Sequence, residues 1–411
     1  MPVYLNGITG NGIDQCQHRS LPLFRWMRCL YAHTKGDRTM QVYAQGQLRM
    51  CDWSLVARMR CSVVGVAVPE FKAFPLPAAL IILLVLVQAG RVGRSSEPNV
   101  AYSGSVRWDE AMATLTITSS GSMPATKEGF FWDVPPEVDR VVIGRDVRFT
   151  GGFRVRYRAA DDPLVIRGED RATSEIFGTE QRAWTDGHGV TENDKWRYGA
   201  INVVEDATVH VRDLTVLNPR GYLISGYADR AVIHVDHCSL LDTRGGDNNN
   251  SDGFIGASGS SIRHSLISTR DDGIKIYHDI TIEDVVIEHQ RNGAPLQFGW
   301  GGGSRSATAE ISRLTIRGVE PDHRYNMAPM TWEAGEGMSR TVNIDGLVID
   351  TEGSIYDEGR DAWTPIGWFE LKPPGCRFNL TASGTRTGDL PEGRRTTPGR
   401  IRITPAVGSP R

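Results

Sequence analysis

The sequence predicts an all-β chain wound as a right-handed parallel β-helix, and three observations predict it. First, an apolar-x-apolar-x-x-x-x-apolar pattern recurs at 209–216, 233–240, 260–267, 280–287, 309–316 and 342–349, with steps of 24, 27, 20, 29 and 33 residues. Second, each copy reads as a period-two strand, a turn and a second short strand, with no 3.6-residue periodicity between copies. Third, the Asn-Gly hairpin signals that an antiparallel sandwich needs between neighbouring strands are rare. A step of this kind marks a solenoid, in which each unit buries its inward face only against its neighbours.

In chain order, the first segment to explain is N-terminal. Residues 76–89, LPAALIILLVLVQA, form an apolar run of 14 residues, shorter than the about 20 of a membrane-spanning helix. Arg58, Arg60 and Lys72 precede it and Val87-Gln88-Ala89 ends it, the pattern of a secretory signal. Met59 is a better-placed start for such a signal than Met1. Residues 1–58 are therefore expected to be a misassigned or disordered leader, 59–89 a signal peptide, and the mature protein secreted or periplasmic. A signal anchor with a cytoplasmic tail is the alternative.

Residues 90–135 hold one strand, around Thr114 to Thr118, and are expected to form a short N-terminal β cap over the open first coil. The helix itself is expected over 136–380, with Val141-Val142-Ile143, Phe153 to Tyr157 and Leu164 to Ile166 as its early strands, and 381–411 as a C-terminal tail.

Composition narrows the partners. The 411 residues carry a net charge of −3 and no basic run, which gives no long-range attraction to nucleic acid or an anionic membrane. Of six cysteines only Cys238 and Cys376 follow the signal, and no CxxC or Cys/His ligand spacing points to structural zinc. No cofactor and no metal are expected, and the chain is read as a monomer.

Two segments interrupt the apolar pattern with carboxylates: Asn250-Ser251-Asp252-Gly253 and Asp271-Asp272-Gly273-Ile274-Lys275-Ile276-Tyr277. Asp252 and Asp271 are 19 residues apart, close to one coil, so the helix should stack them on one flank. Three converging carboxylates repel, which favours a proton on one beside ionised neighbours, the pairing that general acid and base catalysis of glycosidic cleavage uses. Alternation puts Ile274 and Ile276 inward and Lys275 and Tyr277 outward. The same rule would turn Asp272 inward unless a turn resets it. One coil on, Asn292, Gln297 and Trp300 offer amides for sugar hydroxyls and an indole for a pyranose face. As plain turn residues, Asp and Gly would explain either acidic motif alone. Trp332 and Trp363, with Glu333 and Asp361, read more readily as structural.

Over Asn250 to Trp300 these motifs resemble the catalytic stretch of glycoside hydrolase family 49, the dextranases and isopullulanases, related to the polygalacturonases of family 28. The resemblance implies a secreted enzyme hydrolysing an extracellular polysaccharide, a dextran-like α-glucan, with inversion. Asp271 would match the general acid, and Asp252 and Asp272 the carboxylates that activate water. Lys275, Tyr277, Asn292, Gln297 and Trp300 would bind substrate. No His-Gly pair or Arg-x-Lys motif follows Asp272, which argues against galacturonan. Residues 90–135 are too few for the β-sandwich that precedes the helix in family 49. A polygalacturonase-like pectinase, a calcium-assisted polysaccharide lyase and a non-catalytic glycan-binding β-helix are the alternatives.

Overall fold

The computed structural model describes residues 98–405 apart from 126–129, 160, 182–196, 245–250, 291–292, 301–302, 319–329, 351–362, 365–366, 371–375 and 388–398. All described residues belong to one unit, 94–411. The expected leader and signal segment lie outside the described residues, as do Asn292 and Asp361.

Among the described residues there are two sheets, one of 18 strands and one of 10, paired almost wholly in parallel. The chain is a parallel β-helix. One turn of it shows the plan: Phe254–Ile255 lies in the smaller sheet, Ser260–Arg263 and Leu266–Thr269 in the larger, and Ile274–Lys275 returns beside Phe254–Ile255.

The register coincides with the sequence repeat. Val209 is the Cα partner of Ile233, Ser260 of Ile280, Ile280 of Ala309 and Ala309 of Val342. His234 pairs Ser261, which aligns Ile233 with Ser260 as well. The ladder extends to Leu164 at one end and Leu380 at the other. A one-residue slip would turn every inward Val, Ile and Leu outward, so burial of that face fixes the register.

The corner within the larger sheet has a cause in backbone geometry. Asp213, His237, His264, Asp284, Arg313, Gly346 and Gly384 all carry positive φ, between 47° and 77°, at the junction of the two strands of their coils. A single left-handed residue bends the chain while the strands on both sides keep their apolar residues inward. Five of these seven are not glycine, and tight coil stacking holds them in a conformation that L-residues disfavour.

At the N-terminus the stack begins earlier than residue 136. Thr114–Ile117 pairs in parallel with Arg140–Ile143, Gly121–Ser122 with Arg148–Thr150, and Phe131–Val134 with Gly152–Val155. Only Val106–Asp109, antiparallel to Thr114–Ile117, acts as a cap. It pairs the backbone groups that the first coil would leave open. At the other end Gly399–Pro405 lies parallel to Arg377–Thr387, so stacking continues into the expected tail. Cys238 and Cys376 are both buried, and no disulfide is present among the described residues.

Along the smaller sheet the inward ladder runs Phe153, Ile201, Ile224, Phe254, Ile274, Leu296 and Met330. All are buried in one continuous core. The outward ladder of the same strands runs Asn202, Ser225, Ile255, and then Lys275, Gln297 and Thr331. That outward row carries the candidate site.

Candidate active site

The acidic motifs sit where the chain leaves the larger sheet and joins the smaller. The Leu223 N–H donates to the Asp252 carbonyl, the Gly253 N–H to the Asp272 carbonyl, and the Gly273 N–H to the Ala294 carbonyl. These bonds stack Asp252 directly on Asp272 in successive coils. The glycine after each Asp is a packing requirement: a Cβ on Gly253 would strike the Gly273 carbonyl oxygen, and one on Gly273 would crowd that of Pro295. Asp-Gly therefore does more here than turn the chain.

The bend at Gly273 resets the alternation. Asp272 and Lys275 share the outward side, and Lys275 Nζ lies 2.5 Å from Asp272 Oδ2 and 2.8 Å from Asp252 Oδ1. The contact to Asp272 is a hydrogen bond, whereas the one to Asp252 is a charge contact without hydrogen-bond alignment. Asp272 Oδ1 accepts from the Ala294 N–H at 2.9 Å. Asp252, Asp272 and Lys275 are all buried, and Asp271 is half-buried. One carboxylate oxygen from each Asp lies within 4.8 Å of the others. The three carboxylates expected to meet do meet.

Burial opposes charge on Lys275, but the carboxylates of Asp252 and Asp272 outweigh it and hold the ammonium well above the ordinary lysine pKa. A permanent cation thus sits between two of the three acids. Lys275 was expected to neutralise the cluster and bind a sugar hydroxyl; it is almost fully covered and faces both Asp252 and Asp272. Its place in the cluster is between those two acids, as their shared counter-charge.

Tyr277 lies beside the cluster, with Lys275 Nζ 5.9 Å from its ring centre, and burial raises its pKa. Gln297 is completely buried on the same outward row. Neither of its amide atoms makes a hydrogen bond of ordinary geometry, although it lies close enough to the Tyr277 hydroxyl to favour its ionised form. Trp300 follows a register shift after Gln297 and is 38% exposed, among the few large apolar side chains open to solvent. Trp332 belongs to the core, with its ring tilted against that of Phe378.

Two residues that sequence reasoning passed over complete the wall. The Tyr222 ring centre lies 5.6 Å from Lys275 Nζ on the coil before Asp252, and Tyr227 packs near it. Burial, aided by Asp252, raises the pKa of Tyr222. The signal was positional: Leu223-Ile224 aligns with Gly253-Phe254, which puts Tyr222 in the place that Asp252 takes one coil later.

No family model and no curated protein matches the chain. Among solved structures, Dex49A from Penicillium minioluteum is similar at 12% identity and a TM-score of 0.46, over 78% of this chain and 57% of that one. The chain thus spans a little more than half the length of that structure. The likeness is distant, and the fold described above stands on its own strand register.

Proposed function

We propose that the protein is a secreted glycoside hydrolase that cleaves an extracellular polysaccharide, a dextran-like α-glucan first, by general acid and base catalysis with Asp252, Asp271 and Asp272. The observation that carries this reading is the convergence of the three carboxylates around the Lys275 ammonium on the outward face of the smaller sheet.

In this mechanism the lysine divides the labour. Asp252 and Asp272 both face the buried Lys275 cation, which suits them to the base's role. Asp271 is the most exposed of the three, which suits it to the acid's role at the glycosidic oxygen. Asp271 gives that proton to the glycosidic oxygen as the bond to the anomeric carbon breaks, and Asp252 or Asp272 takes one from the attacking water. The half-exposed Trp300 offers a stacking face for a sugar ring.

Stereochemistry follows from the resemblance and not from spacing. The nearest oxygens lie within 4.8 Å of one another, whereas carboxyl groups of inverting enzymes stand about 6.5–9.5 Å apart. Proton NMR of the first product checks it: an α-linked glucan should release the β anomer, and an initial α anomer would mean retention.

The lyase reading requires a cation on the acid cluster. The Lys275 ammonium already lies between Asp252 and Asp272, where such a cation would have to bind. The discriminating assay is reducing-end release from dextran, pullulan, α-1,3-glucan and polygalacturonate, with Asp271→Asn as control. Cleavage of a neutral glucan that disappears in the control supports the proposal. Cleavage of polygalacturonate alone makes the protein a pectinase. Chelator-sensitive products absorbing in the ultraviolet identify a lyase, and glycan retention without cleavage identifies a binding protein.

A further inference from the structure

At the corner within the larger sheet, away from the acid cluster, three other side chains converge. Asp236 ends the strand Ala231–Asp236, His237 occupies the left-handed corner after it, and His264 occupies the same corner one coil later. Both imidazole Nδ1 atoms face one carboxylate oxygen: His264 Nδ1 lies 2.7 Å and His237 Nδ1 3.1 Å from Asp236 Oδ1. The rings stack at 4.7 Å between centres and 26° between planes.

We infer that Asp236, His237 and His264 form a binding site for a divalent transition-metal ion of the Zn²⁺ class. Two imidazoles and a carboxylate are the donor set that borderline metals take, with water in the remaining positions. Donors around tetrahedral zinc, at about 2.0–2.1 Å from the metal, are about 3.3 Å from one another. The 3.1 Å and 2.7 Å nitrogen-to-oxygen distances need to widen by about 0.2 Å and about 0.6 Å to reach that. All three side chains are partly exposed, so water can complete the shell.

Preorganisation separates this cluster from a chance surface pair. The His237 N–H donates to the Arg263 carbonyl and the His264 N–H to the Glu283 carbonyl, so stacked coils hold both backbones. The nearby cations are already matched. Arg263 and Arg313 face Glu283, and Arg171 donates to the carbonyls of Cys238 and His264 and to Ser239 Oγ. No spacing cue marks this site in the sequence, because the two histidines are brought together by the coil and not by a local motif.

An ion here would join two successive coils at the corner within the larger sheet. The test is calorimetric titration of Zn²⁺ into the EDTA-stripped full chain near pH 7.5, beside three variants: His264→Ala, His237→Ala/His264→Ala and Asp271→Asn. Because thiols elsewhere in the chain also take Zn²⁺, the result read is the difference between wild type and variants. One equivalent should vanish in the double histidine variant, weaken at least tenfold in His264→Ala and persist in Asp271→Asn. Cu²⁺ in the same site should show hyperfine splitting from two nitrogens by electron paramagnetic resonance. Far-ultraviolet circular dichroism confirms that the variants remain folded. Equal Zn²⁺ uptake by wild type and the double variant, no uptake at millimolar Zn²⁺, or loss in Asp271→Asn alone would overturn the assignment. Failure here leaves the hydrolase proposal intact, because the activity assay reads a different corner of the coil.

Discussion

The two faces of the smaller sheet share strands, hydrogen bonds and register, yet they do different work. Inward, Ile224, Phe254, Ile274, Leu296 and Met330 repeat one chemistry coil after coil. Outward, the same rungs change from Ser225 and Ile255 to Lys275 and Gln297. A fully buried aliphatic side chain contributes about 1.5–3 kcal/mol, so the inward row can hold the backbone while the outward row is free to vary. Chemistry can then be placed on a scaffold whose register it does not have to maintain.

The largest effect expected of any substitution tests the outward row. Asp271→Asn should lower turnover by about 10²–10⁴-fold, the usual contribution of a positioned acid, with unfolding midpoint nearly unchanged. Near-normal glucan hydrolysis by this variant would remove Asp271 from the mechanism.

Lys275 is where the two rows cease to be independent. Lys275→Met removes the cation that lies between Asp252 and Asp272, and urea denaturation should show a loss of about 3–5 kcal/mol near neutral pH. The sign of the pH dependence is distinctive. In the wild type the lysine pKa is raised on folding, so its contribution is complete below the unfolded value of about 10.4 and is lost only as pH rises through the still higher folded value. The variant lacks that contribution, so its deficit should shrink only at strongly alkaline pH, as the wild-type lysine loses its proton. A deficit independent of pH would mean that lost packing, not charge, caused it.

How much of this the sequence showed follows the same division. The ladder from Val209 through Ile233, Ser260, Ile280 and Ala309 to Val342 was legible because burial forces an apolar residue at every rung. Asp252, Asp271 and Asp272 stood out because charge broke that rhythm at one-coil spacing. Tyr222 and Tyr227 did not, since an aromatic beside a strand resembles core in any periodic reading. Lys275 was placed on the correct face, but its burial depends on what covers that face, and alternation does not report this. The first coil was assigned too late because its strands are as short as Gly121–Ser122, too brief to show a period.

Ile274→Ala examines the inward row directly beneath the cluster. Removing most of a fully buried side chain should cost about 2–5 kcal/mol by denaturant titration. Because Ile274 adjoins Lys275 in the same short strand, turnover should also fall. Ile282→Ala, equally buried but in the larger sheet, should cost similar stability with little change in turnover. Equal kinetic damage from both would mean that the site answers to global stability alone.

The smallest stability change, and the sharpest separation of the two rows, belongs to Trp300. Its indole is more than a third exposed at the end of Leu296–Trp300, so Trp300→Ala should shift stability by no more than about 0.5 kcal/mol. If the indole stacks on a sugar ring, KM for the polysaccharide should rise about tenfold while kcat holds, because binding shared by ground and transition states appears in KM alone. Trp300→Phe should restore part of the loss, since a smaller aromatic face still stacks. A fall in kcat without a change in KM would instead put Trp300 in the reacting geometry, and an unchanged KM and kcat would confine the substrate to the tyrosine side of Lys275.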